Sequence, residues 1–111
     1  MRRALRRWLA ESDVDEEIAE TMLLVTDEAV TNAVEHAARE RPCTVEVLAG
    51  PGCDGGIAVT VRDDGRWVPP SAPGYRGRGI TLIERLTDRS SVTTSPTGTT
   101  VRMCWFTPPA R

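Results

Sequence analysis

The stretch IAVTVRDDG, Ile57 to Gly65, constrains the fold more than any other. Ile57, Val59 and Val61 recur at every second residue, the period of a strand with one face on a core, and a slip of one residue would turn the whole row to solvent. The same period carries Asp63 onto the inward row and Asp64 onto the opposite face. A carboxylate at the end of a core-facing row costs on the order of 2 kcal/mol or more unless it is hydrogen-bonded, so Asp63 requires a partner.

Other periodicities place elements around this strand. Leu5, Trp8 and Leu9 give a short helix over Arg2 to Ala10, and Ser12 with Asp15 reads as a capping box for the next helix. There Ile18, Met22, Val25, Ala29 and Ala33 keep a 3-4 period, and Arg41-Pro42 supplies a stop. Val45 and Val47 alternate before a PGCDGG turn, Pro51 to Gly56, so the segment closes as a hairpin with Ile57 onward. Arg66 to Arg78, with three Pro and two Gly, reads as a loop, and weak or missing order is expected from Pro70 to Arg76 in a ligand-free form.

GRGITLIERL then predicts a helix with Ile80, Ile83 and Leu86 inward, entered through Gly77 and Gly79. A strand around Val92 to Thr94, an SPTG turn at Ser95 to Gly98 and a strand from Thr99 to Phe106 follow. The last has Val101, Met103 and Trp105 as its inward row and Thr99 at the head. The order predicts one α+β domain over 1–111, a two-layer sandwich with helices on one face of a mixed, mostly antiparallel sheet.

With 111 residues there is room for one modest core and no second domain. A formal net charge of −2 gives no broad basic footprint for nucleic acid, although Arg2, Arg3, Arg6 and Arg7 cluster at the start as a solvated helix face or a patch for an acidic partner. No apolar run approaches the roughly 20 residues of a membrane span, so no membrane contact and a cytoplasmic location are expected. Cys43, Cys53 and Cys104 are scattered and odd in number, which reads as reduced, structural thiols. All fourteen basic residues are Arg, so a Walker A lysine and a Schiff base are excluded.

TDEAVTNAVEHA, Thr26 to Ala37, sets Glu28, Asn32 and His36 four residues apart along one helical face. Asn is a mediocre helix-interior residue. Two readings of this row stay open. In one, Asn32 bonds within the helix layer, Glu28 is solvated and His36 is an ordinary half-buried histidine. In the other, the Asn32 carbonyl oxygen is a hard ligand for Mg²⁺ beside nucleotide phosphates, and Glu28 accepts a proton from an attacking hydroxyl or water. Asp63 as an acceptor for an adenine amino group, Thr99 in support of it, and backbone NH groups around Gly77 and Gly79 for phosphates fit the second. GRG ahead of a helix, taken alone, is equally a turn.

EAVTNAVEHA resembles the N box, VRDDG the first glycine box, GRGITL the second and GTTV the closing box of the gyrase, heat-shock chaperone, histidine-kinase and mismatch-repair ATPases. DDGRW, the paired prolines and GRGITLIERL look most like the anti-sigma-factor serine/threonine kinases and the related domains fused to partner-switching phosphatases, over residues 1 to 106. The resemblance implies a histidine-kinase-like ATPase fold, ATP and Mg²⁺ as cofactors, Asn32 on the metal, Glu28 as general base and Asp63 on adenine. It gives Gly65, Gly77 and Gly79 to the nucleotide loop, Thr99 to the adenine contact and His36 a supporting place. Arg78, between the loop glycines, reads as a phosphate contact or as a solvated side chain. The implied activity is phosphorylation of a serine or threonine on a small anti-anti-sigma (STAS-type) protein, with sequestration of a sigma factor and so regulation of transcription. The implied alternative is a module that binds ATP without transferring phosphate, cut from a larger phosphatase-containing regulator.

The chain departs from those relatives at two places. Trp67 stands where the first glycine box has its second glycine, which puts the shape of the loop in question. Relatives also begin with a strand that serves in dimer and partner contacts, whereas here helix is expected from the start, which leaves a homodimer open.

Overall fold

Two hairpins laid side by side make the sheet, and helices cover one of its faces. The computed structural model describes residues 2–12, 14–37, 44–52, 55–64 and 78–106. Within them the order is α1 (Arg2–Glu11), α2 (Glu16–Ala37), β1 (Val45–Pro51), β2 (Ile57–Asp63), α3 (Arg78–Leu86), β3 (Arg89–Ser95) and β4 (Gly98–Trp105). This is the predicted succession, with helix from Arg2 and no strand ahead of it among the described residues.

The strands lie in the order β1-β2-β4-β3 and every described pairing is antiparallel. Register runs as the period of two requires. Asp63 lies between Val45 and Thr99 at one end of the sheet, and Ile57 lies between Pro51 and Trp105 at the other. Val59, Val61, Val101 and Met103 form the inward rows and pack under Met22, Val25 and Ala29 of α2, Leu5 and Leu9 of α1 and Ile83 of α3. Glu46, Arg62 and Arg102 stand on the other, exposed face. Met22, Leu23, Val59 and Met103 are shut off from water, so truncating Met22, Leu23 or Met103 to Ala removes about 2–5 kcal/mol.

Local chemistry adjusts several boundaries. Asp15, not Ser12, caps α2: its Oδ2 accepts from the Glu17 and Ile18 amides at 3.1 and 3.4 Å. Ser12 belongs to the turn after α1, its amide donating to the Trp8 carbonyl at 2.9 Å. The hairpin turn is one residue shorter than PGCDGG, because Pro51 still pairs with Ile57 as the last residue of an edge strand, where proline is tolerated. Gly52 N donates to Gly56 O at 2.8 Å to close that turn, and Gly55 supplies its left-handed residue at φ +77°. Gly79 does not precede α3 but lies in its first turn with Arg78. The Arg41-Pro42 stop lies outside the described residues.

The basic cluster at the start is a helix face that ties α1 to α2, through Arg2 with Asp27 and Arg6 with Glu20, the latter at 2.8 Å. These pairs are exposed and contribute roughly 0–1 kcal/mol each. Cys104 is a buried free thiol; Cys43 and Cys53 lie outside the described residues. No helix among the described residues is long and apolar enough to cross a membrane.

Candidate functional site

Helix α2 lies over β2, sharing a core in which Val25 and Ala29 meet Val59 and Val61. On its flank Glu28 and Asn32 stand one turn apart, both half-buried. The Asn32 Oδ1 is itself inaccessible to water and has no hydrogen-bond partner among the described residues. Thr26, fully buried on the same helix, has an equally unpartnered Oγ1. Each orphaned group costs about 1–3 kcal/mol, and native cores rarely retain one without a reason. An unpartnered amide oxygen is a hard donor of the kind Mg²⁺ takes beside a nucleotide's phosphates, and because this one is closed to water it meets an ion only once the side chain or its cover shifts. Among the described residues no group of three or more His, Cys, Asp and Glu side chains gathers to form an all-protein metal cage.

Asp63 ends β2 on the inward row and is 9% exposed. The strand end is fixed on the β1 side by a reciprocal pair, in which Thr44 N donates to Asp64 Oδ1 at 2.8 Å and Asp64 N to Thr44 O at 3.3 Å. On the β4 side Thr99, half-buried, is the register partner of Asp63. A cleft of about 460 Å³ opens at this end on the outer face of the sheet, lined by Glu46, Arg62, Asp64, Thr93 and Thr100 with Asp63 and Thr99 at its edge, and no described residue of α2 lines it.

Helix α3 is anchored by its last turn. Trp105 Nε1 donates to the Leu86 carbonyl at 2.8 Å, at the Ile57–Trp105 end of the sheet. Its N-terminal turn, with Arg78 and Gly79, therefore begins away from that end. Gly65, Gly77, Trp67, Tyr75 and the loop from Pro70 to Arg76 lie outside the described residues, as does the side chain of His36. Asp63 with Thr99, and Glu28 with Asn32, are thus the sequence-predicted pairs whose neighbours are defined.

Three features escaped the sequence. Thr26 reads as one more helical threonine until its complete burial is seen. The Thr44–Asp64 clasp had no signal, because Asp64 was assigned only a direction away from the core. Gly98 reads as a turn glycine, although its backbone is not in the left-handed region.

The histidine kinase-like ATPase domain family matches residues 1–105. The chain belongs to this family. An ATPase domain of this kind implies ATP as its nucleotide. Over 99% of its length the chain is similar to a structure of the RsbU and RsbW domains of Rv1364c from Mycobacterium tuberculosis, at 28% identity and TM-score 0.76, covering 29% of that chain. It is also similar to the Erythrobacter litoralis EL346 blue-light activated histidine kinase, at 30% identity and TM-score 0.71, with 84% of this chain and 31% of that one covered. The histidine kinase domain of that protein gives 29% identity and TM-score 0.68, with coverages of 80% and 47%. The chain spans less than half the length of each of these solved chains.

Proposed function

We propose that the domain binds magnesium-ATP between α2 and the Asp63 end of the sheet and transfers the γ-phosphoryl group to a serine or threonine of an anti-anti-sigma, STAS-type protein. It also holds a sigma factor in a cytoplasmic partner-switching circuit. The observation that carries this reading is the dry, unpartnered Oδ1 of Asn32 one helical turn from Glu28, on the helix that covers the strand ending in Asp63. The likeness to an RsbW domain over nearly the whole chain supports the choice among ATPases of this fold.

In this reading Asp63 accepts a hydrogen bond from the adenine amino group and the Thr99 hydroxyl supports it. Gly65, Gly77 and Gly79 shape the phosphate loop, and Arg78 reaches a phosphate oxygen. Asn32 holds Mg²⁺, which when bound neutralises phosphate charge. Glu28 accepts the proton of the substrate hydroxyl as its oxygen bonds to the γ-phosphorus and the bond from that phosphorus to the bridging oxygen of ADP breaks. Acceptance at this carboxylate orients the hydroxyl as well as removing its proton.

The test is binding and transfer in parallel. Magnesium-dependent ATP binding should persist in Glu28→Ala and disappear in Asn32→Ala and Asp63→Ala, and transfer from labelled ATP should fall about a hundredfold or more in Glu28→Ala. Equal affinity in the parent and all three variants would reject the assignment. A second reading, a non-catalytic ATP-binding segment of a larger phosphatase-containing regulator, is favoured by the match to a chain in which an RsbW domain accompanies an RsbU domain. Tight ATP binding with no transfer to any anti-anti-sigma protein selects it.

A further inference from the structure

We infer that Gly98 is a positioning residue for Asp63, and that the absence of a side chain at Gly98 sets how well the domain tells adenine from purines lacking the 6-amino group. This rests on the proposed adenine contact of Asp63 and assigns a residue that acts on it without touching the nucleotide. Gly98 is the first residue of β4, next to the register partner of Asp63. Its glycine identity is not a matter of backbone freedom, since Gly55 is the glycine with positive φ among the described residues. Space is the reason. A Cβ built on Gly98 would fall well inside contact with the Asp63 carbonyl oxygen, and 3.3 Å from both the Asp63 carbonyl carbon and the Asp64 Cα.

These neighbours are backbone, so no side chain can swing aside. The end of β2 has little room to retreat, because the Thr44–Asp64 clasp ties its far side to β1. The β3–β4 turn is also tied, with Ser95 Oγ donating to Gly98 O and accepting from Thr97 N, each at 3.3 Å. A methyl group at Gly98 therefore moves the backbone that carries the Asp63 carboxylate.

Gly56 is the internal control. A Cβ there would collide with the Trp105 carbonyl oxygen and lie 3.1 Å from the Phe106 Cα, the same kind of backbone clash at the end of the sheet remote from Asp63. If glycine at such places serves packing alone, both substitutions weaken the fold and neither changes nucleotide choice.

The experiment measures affinity for magnesium-ATP and for the magnesium triphosphate of unsubstituted purine riboside, with a thermal melt, in the parent, Gly98→Ala and Gly56→Ala. A hydrogen bond to a charged group corresponds to about tenfold or more in affinity, and the parent should prefer ATP by that factor. Gly98→Ala should bind the two triphosphates nearly equally, whereas Gly56→Ala should melt lower and keep the parent's preference. Retention of the preference in Gly98→Ala, or its equal loss in Gly56→Ala, overturns the inference and leaves the proposed function standing. A parent that binds neither triphosphate, or both alike, overturns the adenine contact and this inference with it. A readout free of mutation covers a Gly98→Ala chain that does not fold. The Gly98 NMR resonance of the parent should shift with ATP and not with the purine triphosphate, and identical shifts overturn the inference.

Discussion

The two ends of the sheet are built to different rules. At the Ile57–Trp105 end the polar groups have partners. The indole NH of Trp105 caps the Leu86 carbonyl, the Phe106 amide donates to Asp88 Oδ2 at 2.8 Å, and Asp88 N donates to Cys104 O at 3.0 Å. Apolar bulk fills what remains, with Trp105 5% exposed and Ile57 8%. At the Asp63–Thr99 end the inward rows finish in a carboxylate and a hydroxyl, the strand end is clasped through Thr44 and Asp64, and a cleft opens on the outer face beside them. One end is closed by apolar bulk, and the other finishes in polar side chains.

Removing the apolar plug should give the largest effect. Trp105→Ala should cost about 3–5 kcal/mol of unfolding free energy in a denaturant titration, through lost packing and the stranded Leu86 carbonyl. The affinity of the folded fraction for ATP should stay unchanged, and a matching fall would show the two ends to be coupled. At the polar end Thr99→Val keeps the branched shape a strand favours while deleting the hydroxyl. ATP affinity should weaken by about 0.5–1.5 kcal/mol, a factor of several in isothermal titration, with a melt close to the parent's. On the exposed face at this same end, Arg62 lines the cleft and pairs with Glu46 at 3.2 Å, both about half accessible. Arg62→Ala should change stability by less than about 1 kcal/mol and leave nucleotide affinity alone. A large effect on either would mean that the outer face takes part in the site.

The contrast between the ends was partly written in the period of two. Once Ile57, Val59 and Val61 were assigned inward, Asp63 had to follow, and Trp105 had to lie at the opposite corner, because alternation leaves no choice of face. Helix α2 was equally legible from its 3-4 stripe. What alternation cannot carry is distance across the sheet. The need for Gly98 to lack a side chain comes from the Asp63 carbonyl, on a strand that pairs with it only after folding. The Asp15 cap was missed for a smaller reason: Ser12 and Asp15 are both good N-caps, and where α1 ends decides between them. The unpartnered state of Asn32 lay beyond sequence altogether, since a helical asparagine can equally well satisfy itself locally.

The strand order has a consequence for when the site comes into being. β1 with β2, and β3 with β4, can each close as a local hairpin, but the seam that sets Asp63 against Thr99 joins segments separated by the whole of α3. Pairings of such long range are the slow ones, because the intervening chain must be immobilised before they return any free energy. On the proposed reading the nucleotide's walls come from both sides of that seam, so ATP has nothing to grip in a half-assembled chain. Its stabilisation should accordingly be felt as slower unfolding rather than faster folding.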